Sequence, residues 1–293
     1  MPTFRAAVPA VVAVAVAASG CAINLSADQY VGKEDKSFSV TGPPDLSLKT
    51  FDGSIEVTTW DKPVVGLTIE RRAGSQAEAE ALKVTTTQEG NRIVVEALQP
   101  ERAVQVGINV GRSVRLVVSV PTRTDLQART GDGSIAVTGV QGRVELRTGD
   151  GSVRGNGLDG QIVAHTGDGS VSLEGVRGEV DVNTGDGSVR VSGAPSALKA
   201  HTGDGSVALA LDSGTSIGSD WEISTGDGGV SVQLPAGINA EIDASTGDGR
   251  VTASDFGLEA SGEDKHELRG RIGAGGSTLR LRSGDGSITV ARR

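Results

Sequence analysis

Beyond residue 45, polar and apolar positions alternate with period two along most of the chain, the pattern of strands with one face turned inward. LSLKTFDGSIEVTTW (46–60) alternates, turns at Asp52-Gly53 and alternates again. VVGLTIERR, KVTTTQEGNRIVVEAL and SVRLVVSVP continue as short β-type runs, with Glu89-Gly90-Asn91 as a turn. One helical piece is expected at 75–83, SQAEAEALK, where Ser75 is placed to cap a short Ala/Glu/Lys-rich segment.

From Leu126 a longer period is superimposed. Thr-Gly-Asp-Gly begins at residues 130, 148, 166, 184, 202, 225 and 246, Ser-Gly-Asp-Gly begins at 283, and the first five copies stand 18 residues apart. Four residues before the motif stand Leu126, Val144, Ile162, Val180, Leu198, Trp221, Ile242 and Leu279. Two residues before it stand Ala128, Leu146, Ala164, Val182, Ala200, Ile223, Ala244 and Leu281; five after it stand Ile135, Val153, Val171, Val189, Val207, Val230, Val251 and Ile288. Every one is apolar, whereas the position just before the motif holds Arg129, Arg147, His165, Asn183, His201, Ser224, Ser245 and Arg282. Each unit is therefore two short strands and two turns, one Gly-Asp-Gly and one of the type GVQG, GLDG or GVRG. Strands at this spacing with no crossover helix predict an all-β fold: a single-stranded parallel β-solenoid (β-helix) of about 18 residues per rung. The Thr column shares parity with the inward positions and reads as a hydroxyl ladder or cap at the strand end.

The organisation expected is a signal peptide over 1–20, a lipidated N-terminus and tether over 21–45, a β-rich first part over 46–125, the regular repeat over 126–253, an inserted loop over 254–275 and a last rung over 276–293. The terminal Arg292 and Arg293 would discourage pairing at an open end of the stack.

Composition sharpens this picture. Aromatic residues make up 2% of the chain while 43 residues are Gly, so a core of small stacked side chains fits better than one keyed by large ones. The opening MPTFRAAVPAVVAVAVAASGC has one cation, an apolar run too short to cross ~30 Å of hydrocarbon stably, and small residues before Cys21, the only cysteine. Ala18-Ser19-Gly20-Cys21 resembles a lipobox, which makes Cys21 the lipidation site and the membrane, through that lipid anchor, the first partner. Removing residues 1–20 takes away one cation and leaves a net charge near −10. An acidic, aromatic-poor surface argues against nucleic acid as a partner.

Candidate chemistry is sparse. Gly in the Gly-Asp-Gly corner is expected to supply positive φ, and Asp to bond its carboxylate to backbone N–H groups of the turn. Stacking would file Asp132, Asp150, Asp168, Asp186 and Asp204 about 4.8 Å apart, a repulsion of roughly 1 kcal/mol per pair in a water-like dielectric. Calcium is the alternative reading of that file, because the calcium β-roll also has 18 residues per coil; there, however, the ligand aspartate occupies a slot that here holds Ile135, Val153 and Val171. Gly214-Thr215-Ser216-Ile217-Gly218 matches a nucleophile elbow without the strand–turn–helix context. His165 and His201 fall two rungs apart, too far to share a zinc ion. No catalytic residue, metal ligand or cofactor is assigned.

FDGSIEVTTWD (51–61), VRLVVSVP (114–121) and the T-G-D-G-S-V units together resemble the bacterial putative-adhesin family of β-strand-repeat envelope proteins, a LiaG-type domain of unknown function, over roughly 38–293. The resemblance implies a right-handed single-stranded β-solenoid, export, frequent membrane anchoring and no catalytic residues to carry over. The function expected is a non-enzymatic, membrane-anchored envelope lipoprotein with a structural, adhesin-like or interaction role toward an envelope protein or glycan. A calcium-binding roll and a polysaccharide-active β-helix enzyme are the alternatives.

Overall fold

The alternating segments become strands, and their apolar halves become a continuous core. In the computed structural model, which describes residues 30–98, 111–258 and 265–293, the fold is all-β: 22 strands in one sheet that winds on itself, with one short helix. Cys21 and the signal segment lie outside the described residues. Among the described residues no helix is long and apolar enough to cross a membrane.

Neighbouring strands of the repeat pair in parallel with a shift of one repeat unit. Val144 is level with Leu126 on one side and Ile162 on the other, and Val153 is level with Ile135 and Val171. Every residue of the three apolar columns is buried. Trp221 is fully buried in the column that otherwise carries Leu, Val and Ile, and its indole N–H reaches the Ser196 carbonyl at 3.4 Å. The helix spans Gln76–Ala81, with the Ser75 hydroxyl accepting from the Glu78 N–H at 3.3 Å, the cap its sequence predicts.

Chain order and spatial order part company at both ends. After Val230–Leu234 the chain skips a layer, forms Ala240–Thr246 and Val251–Thr252, and turns back as Glu267–Ile272, antiparallel to Ala240–Thr246. Only then does Thr278–Ser283 fill the skipped place, pairing in parallel with Trp221–Thr225 on one side and Ala240–Thr246 on the other. Ile288–Arg292 is likewise flanked by Val230–Leu234 and Val251–Thr252. The last strand is therefore internal, and its arginines are not edge guards. Arg293 is clamped by the Asp212 carboxylate, the Leu211 carbonyl (3.0 Å) and, through its N–H, the Leu234 carbonyl (2.9 Å). Edge protection falls instead to Glu267, Arg269 and Arg271, which are exposed on the antiparallel strand. Of the span expected as an inserted loop, Glu267–Ile272 is thus sheet.

The N-terminal end mirrors this. Asp45–Lys49 sits between Arg92–Ala97 and Asp125–Arg129, and Ile55–Trp60 sits between Ser113–Pro121 and Ile135–Thr138. Antiparallel strands then close the end: Val84–Glu89 on Arg92–Ala97, Val64–Ala73 on Ser113–Pro121, and Tyr30–Ser39 on Val64–Ala73. Tyr30–Ser39 falls within the span expected to be tether. Its polar run fits a strand because the charges pair across the ladder, Lys33 with Glu70 at 2.7 Å and Arg71 with Glu34 at 2.6 Å.

Candidate functional site

The repeated corner is the most regular chemical feature of the molecule, and a buried hydroxyl organises it. The Thr166 hydroxyl faces the Gly149 and Gly151 carbonyls of the preceding layer, at 3.0 and 2.8 Å, and its oxygen accepts from the Gly169 N–H at 3.2 Å. Thr148, Thr184, Thr202 and Thr225 repeat the arrangement toward the layer before them. Thr246 reaches Gly284 and Gly286, and the Ser283 hydroxyl reaches the Gly228 carbonyl at 2.9 Å, following the interleaved spatial order. All of these hydroxyl residues are buried. The hydroxyl cap read from column parity is thus present, and each layer closes the corner of its neighbour.

The file is one member longer than the sequence motif. Thr50, 3% exposed, sits in the same column, and Thr130 donates to the Gly53 carbonyl at 2.9 Å. TFDGSI is a divergent copy of TGDGSI with Phe51 in the first glycine's place. Alignment of LSLKTFDGSIEV with LQARTGDGSIAV carries that signal.

Gly is required at the corner for a reason other than the one expected. None of the glycines of the regular Thr-Gly-Asp-Gly copies has φ in the left-handed region. Close approach is the constraint: a Cβ on Gly151 would lie 2.0 Å from the Gly133 carbonyl oxygen, and one on Gly169 would lie 2.0 Å from that of Gly151. The opposite corner behaves conventionally. Gly157 (φ 61°), Gly160 (129°), Gly175 (61°) and Gly178 (88°) occupy conformations that favour glycine.

The aspartates do not build the turn. Asp132, Asp150, Asp168, Asp186 and Asp204 are exposed, and among the described residues their carboxylates accept no hydrogen bond, so the carboxylate-to-N–H contact expected of them is absent. The first member of the file, Asp52, is half-buried. Its carboxyl is pushed above the usual range by burial first and by the charge of Asp132 second. Among the described residues no three His, Cys, Asp or Glu side chains converge as a metal site. His165, Asn183 and His201 are level on successive strands, and His201 Nδ1 lies 2.9 Å from Ser224 Oγ. Ser216 is exposed and no helix follows it, so the elbow motif has no elbow geometry.

The outward file beside the corner is largely self-neutralised where it is most charged. Glu145 accepts from Gln127 Nε2 at 3.0 Å, Arg129 Nη2 at 2.9 Å and Arg147 Nε at 2.7 Å. Burial raises its carboxyl, but the hydrogen bonds from Gln127, Arg147 and Arg129 outweigh that and bring it to about 2.

The family described as Toastrack DUF4097 matches residues 45–291, and the chain belongs to that family. No curated protein matches it. Three crystal structures are similar in outline. A putative cell adhesion protein from Clostridium sporogenes shares 15% identity, with 89% of this chain and 99% of that one covered and a TM-score of 0.31. A putative adhesin from Bacteroides fragilis shares 10%, with 88% and 96% covered and a TM-score of 0.43. A putative lipid binding protein from Parabacteroides distasonis shares 11%, with 88% and 96% covered and a TM-score of 0.34.

Proposed function

We propose that the chain is an exported lipoprotein, anchored to a membrane through Cys21, whose folded part is a single-stranded parallel β-solenoid of about 18 residues per rung. It serves as a non-enzymatic, adhesin-like scaffold at the cell envelope. The observation that carries the scaffold reading is the unbroken register, in which residues one repeat apart are level from Leu126 through Leu198. Such a stack presents each outward position as a straight file and has short turns, with no long loops to wall a catalytic groove over the regular section. Membership of a family described only by its fold is in keeping with a scaffold. The lipobox-like Ala18-Ser19-Gly20-Cys21 supports the anchor.

Fractionation of expressing cells tests the anchor. The wild-type protein is expected in the membrane fraction with an acylated Cys21 as its first residue by mass spectrometry, and Cys21→Ser is expected to leave that fraction or keep its leader. A wild-type chain found in the cytosol with residues 1–20 intact would overturn the reading. Incubation with cell-wall glycans and polyuronides is expected to release no new reducing or unsaturated ends.

A further inference from the structure

The strands that follow the corner carry an outward face unlike the rest of this acidic molecule. In register down that face stand Ala136, Arg154, Ser172, Arg190 and Ala208, continuing into Ser231 and Thr289. Arg154 and Arg190 are exposed, and among the described residues neither takes part in a hydrogen bond or ion pair. They stand two layers apart, about 10 Å along the stack at the spacing of paired strands. Small side chains between them leave the surface low. Toward the N-terminal end the face deepens into a cleft of about 290 Å³ where Arg154 is joined by Arg72, Arg115 and the hydroxyls of Ser54, Ser113 and Ser134. Glu56 also lines it, held by Arg115 at 2.5 Å. Below Arg190 a second hollow of about 260 Å³ offers Ser172, Ser192, Ser231, Gln233 and Glu174.

We infer that this face is a docking track for a linear acidic polysaccharide, one bearing uronate carboxylates. The carboxylates would pair with Arg154, Arg190 and the cleft arginines, each guanidinium offering a planar fork of donors that matches a carboxylate. Ser, Gln and Glu174 would bond the sugar hydroxyls, and the small residues let an extended chain lie flat. The spacing of the two free arginines is on the scale of a disaccharide repeat. Other partners fit less well. The face has no aromatic side chain on which a nucleic-acid base could stack. Leu98 is the only exposed large hydrophobic among the described residues, so a lipid surface finds no apolar footing. The inference deepens the envelope reading and rests on it only for where such a polymer is met.

Binding of the purified full chain to immobilised polygalacturonate, with dextran and inorganic polyphosphate as comparators, tests the track independently of any anchor. The expected result is saturable, salt-sensitive binding to polygalacturonate and none to dextran, weakened about tenfold or more by Arg154→Glu/Arg190→Glu. Arg143→Glu/Arg177→Glu, on other sides of the molecule, should leave it within about twofold, and both double variants should keep the wild-type circular dichroism spectrum. Failure to bind polygalacturonate overturns the inference. So does equal weakening by the two double variants, or polyphosphate binding as tight as polygalacturonate, which would mean that charge alone is read. Loss of membrane association in the Cys21→Ser strain with polygalacturonate binding intact would separate a failed track from a failed anchor.

Discussion

The two corners of the repeat both carry glycine, for opposite physical reasons. At the Gly-Asp-Gly corner the backbone conformation is one that other residues could adopt, but the preceding layer's carbonyl oxygen sits where a Cβ would go, 2.0 Å away at Gly169. At the other corner Gly157 has nothing within 4 Å of its missing Cβ, yet φ is 61°. The first glycine is selected by its neighbours and the second by its own dihedral. A sequence shows the letter in both places and not the cause.

Alanine separates the two causes. Gly169→Ala must push apart two layers of backbone that cannot rotate away, so a destabilisation of about 3 kcal/mol or more is expected, with the clash felt in both adjoining layers. Gly157→Ala meets only the left-handed strain of a residue with a Cβ, about 1 kcal/mol. Chemical denaturation of the two variants measures both. Equal losses would mean that the corners are held by one mechanism and that close approach at Gly169 relaxes easily.

The hydroxyl clamp belongs to the first corner alone, so Thr166→Val should weaken that corner without disturbing the second. Valine keeps the shape but leaves the Gly149 and Gly151 carbonyls and the Gly169 N–H without their shared partner, for about 1–3 kcal/mol. Thr166→Ser should recover most of it, since Ser283 already performs this role in its own layer. A valine variant as stable as wild type would demote the clamp to a by-product of packing.

These causes explain what could be read in advance. The apolar columns were legible because period two maps directly onto inside and outside; all of the residues from Leu126 to Ile288 named from it are buried. The Thr column was legible from the same parity. The corner glycines were misread because their constraint comes from a residue 18 positions away in another layer, which no local turn rule contains. The interleaved ends were also hidden. Strand SITVARR reads as terminal, yet Ile288–Arg292 lies between two earlier strands, and the only hint was the lengthening of the last interval to 37 residues. Arg154 and Arg190 pass unnoticed in a linear reading because their significance is the absence of a partner across the ladder.

Glu145, on the strand leading into the first corner, carries a pH signature that the second corner lacks. Its carboxyl is held down to about 2, against 4.5 for a free glutamate, so its stabilisation is fully present above about 4.5 and is lost as pH falls toward 2. Glu145→Gln should lower stability by about 1 kcal/mol at neutral pH, the scale of a surface ion-pair network, and should flatten the acid limb of the stability curve below about 4.5. Melting temperatures of both proteins across that range are the measurement. Parallel curves would assign the acid sensitivity to other carboxylates.

The smallest effect is expected at the most conspicuous residue. The corner aspartates are exposed and their carboxylates accept no intramolecular hydrogen bond, so removing their charge takes away mutual repulsion and nothing that builds the turn. That repulsion is visible at Asp52, where the Asp132 charge adds to burial in raising the carboxyl. A raised folded-state value means that stability grows as pH falls through it, opposite in sign to Glu145. Asp150→Asn/Asp168→Asn/Asp186→Asn should therefore melt at or slightly above the wild-type temperature, within about 1 kcal/mol, the water-like repulsion of one neighbouring pair. Millimolar calcium replacing EDTA should shift wild type and triple variant alike. A large calcium-dependent rise confined to the wild type would show that ions, rather than hydration, offset the repulsion along the file, and the first corner would then differ from the second in chemistry as well as in packing.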